Sequence, residues 1–133
     1  MIIQQIKLCD GIILQGGNFS DHYEIFIAKY CYDNDIPILG ICAGMNNMLR
    51  VVGGKTLRFD NIESHQSHEK YVHEIIINKE SLLYKIIEQE KVLVNSRHKF
   101  YTSEYSNLDG SAYSLDGTIE SFEGVNKNFY LAV

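Results

Sequence analysis

The segment Gly40-Ile41-Cys42-Ala43-Gly44 is the part of this sequence best equipped for chemistry. A thiol attacks a carbonyl carbon when it is held as thiolate and presented at the right angle. An apolar run, Ile36-Pro37-Ile38-Leu39-Gly40-Ile41, delivers the cysteine. Met45, Met48, Leu49 and Val52 follow at the spacing of a helix face. Strand, sharp turn and helix in that order form a nucleophile elbow, with cysteine in place of serine. Flanking glycines suit the crowding of such a turn. The sulfur then sits at a helix N-terminus, where partial positive charge favours thiolate over thiol. The amide of Ala43 points where a tetrahedral oxyanion would form, and Gly16-Gly17 offers a second donor. The plainer reading is a buried cysteine in a tight turn. The strand and helix on either side, and a glycine turn ending the preceding strand, favour the nucleophile.

Other polar side chains are weaker candidates. His65, His68 and His73 lie close in sequence, but no Cys or paired carboxylate completes a ligand set, so we read them as solvated loop residues and expect no metal. His98 follows a short apolar run and is a candidate for lining the site. Glu120 reads as an exposed residue after a tight turn. Cys9 and Cys31 sit in apolar surroundings and read as core.

The elements that position Cys42 follow from the pattern of apolar residues. Gly11 to Leu14 is a buried strand that stops at Gln15-Gly16-Gly17. Asp21 with Glu24 resembles a capping box, and Tyr23 to Asp33 reads as a helix. The Cys42 strand and helix come next, and Gly53-Gly54 ends that helix. Residues 61–70 read as a polar loop. Val72 to Ile77 is a strand, Ser81 caps a helix carrying Leu82, Leu83, Ile86 and Ile87, and Val92 to Val94 is another strand. Asp116-Gly117 signals a two-residue hairpin between Ser111–Leu115 and Thr118–Phe122. Phe129 to Val133 reads as a last strand. Alternation of strand and helix predicts an α/β fold: a mostly parallel central sheet with flanking helices and an antiparallel hairpin near the C-terminus.

A chain of 133 residues suits one domain. Its net charge of −5, and the scatter of Lys85, Lys91, Arg97, Lys99 and Lys127, argue against a nucleic-acid partner. Three unpaired cysteines give no disulfide framework. No run is apolar enough to span a bilayer and no signal peptide is visible, so a cytoplasmic setting is expected.

Several segments together carry a resemblance. Asp10-Gly11-Ile12-Ile13-Leu14-Gln15-Gly16-Gly17, Pro37-Ile38-Leu39-Gly40-Ile41-Cys42-Ala43-Gly44 and Gly53-Gly54-Lys55-Thr56-Leu57 resemble the class I glutamine amidotransferase superfamily. Val94-Asn95-Ser96-Arg97-His98 and Asp116-Gly117-Thr118-Ile119-Glu120 look like its γ-glutamyl hydrolase branch, which includes the γ-glutamyl-γ-aminobutyrate hydrolases and the C26 peptidases. The resemblance implies a flavodoxin-like sheet and a cofactor-free reaction on glutamine or a small γ-glutamyl compound. Cys42 would be the nucleophile of a thioester intermediate, Gly16, Gly17 and Ala43 the oxyanion donors, and Asn46, Ser96 and His98 substrate contacts. At Asn46 the family usually carries Gln.

The family's catalytic His and its Glu partner follow the strand that Phe129–Val133 resembles, and the sequence ends there. The expectation is therefore a domain incomplete at both ends, weak or inactive by itself, and completed by further chain or a complementing polypeptide. Uncovered sheet edges would also favour a homo-oligomer. A binding protein that keeps the pocket without catalysis is the first alternative. A related cysteine stress protein is the second, although His commonly follows the cysteine there and Ala43 does so here.

Overall fold

In the computed structural model of the chain, residues 1–17, 22–60 and 73–133 are described. Thirteen elements run in the order α1 (Ile2–Ile6), β1 (Ile12–Leu14), α2 (His22–Asn34), β2 (Ile38–Gly40), α3 (Ala43–Val51), β3 (Lys55–Arg58), β4 (His73–Ile77), α4 (Leu82–Ile87), β5 (Lys91–Val94), β6 (Phe100–Glu104), β7 (Leu108–Ser114), β8 (Ile119–Gly124) and β9 (Tyr130–Ala132). Seven strands form one sheet in the order β1-β2-β9-β8-β7-β4-β5, and β3 with β6 makes a separate antiparallel ribbon. The α/β architecture with flanking helices is as expected. The sheet itself is mixed rather than mostly parallel: β1, β2 and β9 are parallel, and every pairing from β9 through to β5 is antiparallel.

Strand β9 lies in the middle of this sheet, between β2 and β8. Its three residues are all buried, Tyr130 and Ala132 in one core cluster and Leu131 in the other. Burial on both faces explains why this strand reads as a continuous apolar run without alternation. Helices α2 and α3 contribute Ala28, Cys31, Met48 and Leu49 to the first cluster, while α4 sets Leu83 against Ile75, Ile77 and Ala112 in the second. Polar atoms inside the sheet are paired: Ser121 Oγ meets Ser111 Oγ at 2.8 Å and donates to the Ala132 carbonyl at 2.7 Å.

Local signals placed the turns correctly. Ser81 caps α4, its Oγ accepting from the Tyr84 amide at 3.0 Å. Gly53 follows α3 at φ +76°. The hairpin at Asp116-Gly117 is present, with a four-residue connection between β7 and β8 rather than two. Asp116 Oδ1 accepts from the Thr118 amide at 3.0 Å, and Gly117 sits at φ +86°. The expected cap at Asp21, the start of the fourth strand at Val72, and His65 and His68 lie outside the described residues.

Candidate active site

Strand β2 ends at Gly40, and α3 begins at Ala43, so Ile41 and Cys42 must reverse the chain within two residues. The Cys42 amide donates to the Val133 carbonyl at 2.8 Å, and the Ile41 amide to Leu14 at 2.9 Å. These bonds tie the turn to the ends of β9 and β1. Cys42 is held at φ 53°, ψ −104°, a conformation that costs a side-chain-bearing residue about 1–3 kcal/mol. The flanking glycines are required by contact. A Cβ at Gly40 would lie 2.8 Å from the Gly44 carbonyl carbon, and one at Gly44 would lie 2.5 Å from the Leu14 carbonyl oxygen.

The expected residues come together here in part. Two cavities meet at Cys42, which is exposed to both. The larger, about 700 Å³, is polar and bordered by Gly17, Ala43, Asn46, Arg50, Arg97 and Lys99. The smaller, about 490 Å³, has mainly apolar walls, among them Ile75, Ile77, Leu83, Val92, Val94 and Ile119, and is also bordered by Ser96, Arg97 and Glu120. His98 borders both. Gly16 is not on either wall; it packs beside Cys42, where a Cβ on it would be 3.3 Å from the Cys42 Cβ. As the first residue of α3, Ala43 has an amide with no partner inside the helix, and it borders the larger cavity.

Bordering the same cavity as Cys42 is a cluster that is not legible in the sequence. Glu120 is 10% exposed, not an exposed turn residue. Its Oε2 lies 3.3 Å from His98 Nε2 and its Oε1 3.7 Å from His73 Nε2. His73 is not a solvated loop residue: it opens β4, and Nε2 also meets the buried Ser96 hydroxyl at 2.7 Å. His98 Nδ1 is 2.8 Å from the Phe100 carbonyl, which can only accept, so Nδ1 carries a proton. Nε2 facing a carboxylate then favours a second proton. Burial by itself would lower the His98 pKa, but the Glu120 carboxylate, with help from the Phe100 carbonyl and Asp116, raises it above the ordinary imidazole value. Phe59 backs the ring at 5.6 Å. His98 is therefore held between the Phe100 carbonyl and the Glu120 carboxylate, a setting that favours its protonated form.

This arrangement has a pH signature. Because the folded pKa of His98 is raised, its contribution to stability is complete below the unfolded imidazole pKa and is lost as pH climbs through the folded value. The Tm gap between wild type and His98→Asn should narrow steadily above neutral pH. A gap that stays constant or widens there would contradict the imidazolium assignment.

The three thiols differ in environment. Cys31 is fully buried and its thiol is pushed up to about 11 by burial. Cys9, expected in the core, is exposed just after α1, with its sulfur 3.4 Å from the Gln5 carbonyl. Cys42 is exposed at the N-terminus of α3. Limited iodoacetamide treatment near neutral pH, read by mass spectrometry, should label Cys42 first and Cys31 last. Labelling of Cys9 ahead of Cys42 would contradict activation at the α3 terminus.

The polar cavity's Arg50, Arg97 and Lys99 were not singled out from sequence as site residues. Arg97 had a usable signal, since it stands between Ser96 and His98 in one recognised segment; Arg50 and Lys99 had none.

Known proteins resemble this chain in sequence and in fold. The family model for peptidase C26 matches residues 18–133. A GMP synthase [glutamine-hydrolyzing] of Fusobacterium nucleatum is 31% identical over 90% of this chain and 23% of its own length. Protein NtpR of Enterococcus hirae is 30% identical over 84% of this chain and 50% of its own. The chain thus spans half or less of these relatives. Among solved structures, a glutamine amidotransferase of Thermotoga maritima shares the fold with a TM-score of 0.77 at 14% identity, covering 96% of this chain and 55% of that one. The glutaminase domain of Trypanosoma brucei CTPS, solved with bound acivicin, gives 0.75 at 19% identity, covering 98% and 64%. No described helix is long and apolar enough to cross a membrane. With a family-model match over residues 18–133, the chain belongs to the peptidase C26 family of the class I glutamine amidotransferase-like superfamily.

Proposed function

We propose that this chain is the nucleophile-bearing part of a γ-glutamyl amide hydrolase, in which Cys42 attacks the γ-carbonyl and forms a thioester. The observation that carries this reading is the strained, exposed Cys42 at the N-terminus of α3, bordering a cavity with cationic walls. Strain at a single cysteine, held by glycines on both sides, is the mark of a nucleophile elbow. The developing oxyanion takes the Ala43 amide, with the Gly17 turn on the same wall. Arg50, Arg97 and Lys99 suit the α-carboxylate of a glutamyl group, and Asn46 offers its amide to the same group. Glu120 favours the charged form of His98 beside this cavity, which would add to the field that draws an anionic substrate in. That several relatives are glutaminases within larger proteins supports glutamine as one substrate and a partner polypeptide for the ammonia-using step.

The test is trapping. A γ-chloromethyl ketone analogue of glutamine should modify Cys42 stoichiometrically, be slowed by added glutamate, and leave Cys9 untouched. Modification that is random among thiols, or insensitive to glutamate, would refute the assignment of the polar cavity.

A further inference from the structure

We infer that the smaller, mainly apolar cavity beside Cys42 receives the leaving amine, and that γ-glutamyl amides of apolar amines are preferred to glutamine. The inference rests on the reading of Cys42 as the nucleophile. When the sulfur adds to the γ-carbonyl, the tetrahedral carbon carries four groups: sulfur, oxyanion, glutamyl chain and nitrogen. The oxyanion donor at Ala43 and the cations that suit the glutamyl carboxylate all border the polar cavity. Nitrogen is the remaining substituent, and the other space that Cys42 borders is the smaller cavity. Its walls, Ile75, Ile77, Leu83, Val92, Val94 and Ile119, come from both sides: β4, β5 and β8 form the floor and α4 the cover. At about 490 Å³ it has the size of a small-molecule site, and ammonia would leave nearly all of it unfilled. An aliphatic or aromatic amine of about four to eight carbons would fill it; each methylene sheltered there is worth roughly fourfold in affinity.

The chemistry is balanced by water. Sulfur bonds to the carbonyl carbon, the carbon–nitrogen bond breaks, and the thiol's proton ends on the departing amine. Water then adds to the thioester carbon and returns a proton to sulfur, leaving glutamate. In reverse, a bound amine attacks the same thioester, so the amine preference can be measured by transfer rather than hydrolysis.

The experiment charges Cys42 with a γ-glutamyl aryl ester and lets the acyl group partition between water and an added amine at matched free-base concentration. Isoamylamine should be γ-glutamylated at least about tenfold better than ethanolamine, after correction by the same two amines acting on a γ-glutamyl thioester in solution. Val92→Phe and Val94→Phe, which fill the cavity from β5, should collapse that advantage to the solution ratio, whatever they cost in the rate of charging by the aryl ester, because partitioning is read only on protein already acylated. A wild-type ratio equal to the solution ratio would overturn the inference and leave the hydrolase reading standing. Should Cys42 fail to acylate at all, the hydrolase reading falls. Isoamylamine titrated into Cys42→Ala protein, followed by NMR shifts of the Val92 and Val94 methyls, then decides the cavity alone: saturable shifts uphold an apolar amine site, and their absence refutes it.

Discussion

Glutamine should acylate Cys42 at least 10²–10⁴-fold more slowly than a γ-glutamyl aryl ester does, even with the glutamyl pocket intact. An aryloxide leaves without help, whereas an amide nitrogen must be protonated as the tetrahedral intermediate collapses. That proton requires an acid within hydrogen-bond reach of the leaving nitrogen. The described imidazoles beside the site are His73 and His98, and both are committed elsewhere. His98 donates to the Phe100 carbonyl and faces Glu120, and His73 meets Ser96 and Glu120. On the proposed reading neither imidazole is free to serve as that acid, and the amide reaction should be slow. Stopped-flow release of the aryl alcohol, set against ammonia release from glutamine, measures the ratio. Cys42→Ala should lose both signals, since removing a nucleophile that acts as a unit with its partners can cost on the order of 10⁶-fold. Amide turnover within tenfold of the ester would contradict this account. It would assign the acid to a residue already described, and a His98→Asn variant that lost only the amide reaction would identify it.

How far the sequence revealed this site depends on the range of the interactions involved. The Cys42 turn was legible because its chemistry and its packing demands fall within five consecutive residues. The cap at Ser81, the helix face of Met45, Met48 and Leu49, and the turn at Asp116-Gly117 are equally local. What stayed hidden is pairing across the chain. Glu120 looked exposed because a residue just past a hairpin turn usually is. Its burial comes from His73 and His98, which lie 47 and 22 positions earlier. The ribbon of β3 and β6 escaped notice for a related reason: Lys55, Arg58 and Glu104 are exposed, so neither strand alternates cleanly. Short apolar runs do not disclose strand direction, and a sheet that turns antiparallel beyond β9 therefore reads from sequence as parallel throughout.

Gly44→Ala should destabilise the fold by about 1–3 kcal/mol and slow Cys42 acylation by roughly 10²-fold. In an ordinary helix this change would gain about 0.5–1 kcal/mol. At this position the new Cβ would lie 2.5 Å from the Leu14 carbonyl oxygen and 2.8 Å from its Cβ. Backbone atoms of β1 cannot swing aside as the tip of a flexible side chain can, so α3 must back away from the sheet. That retreat is resisted further along the helix, where Met48 and Leu49 are fully buried and the Tyr130 hydroxyl donates to the Met48 carbonyl at 2.8 Å. The helix therefore tilts at its N-terminus, carrying with it the Cys42 sulfur and the Ala43 amide. A displacement near 1 Å is enough to spoil alignment with a bound carbonyl. Gly53→Ala separates the two effects. Its Cβ would meet open space, but Gly53 sits at φ +76°, so the substitution strains the backbone at the opposite end of α3. It should lower Tm by a comparable amount and leave acylation near the wild-type rate. Thermal melts and ester-burst kinetics on both variants decide the matter. A Gly44→Ala protein as stable and as fast as wild type would show that α3 does not need its close approach to β1.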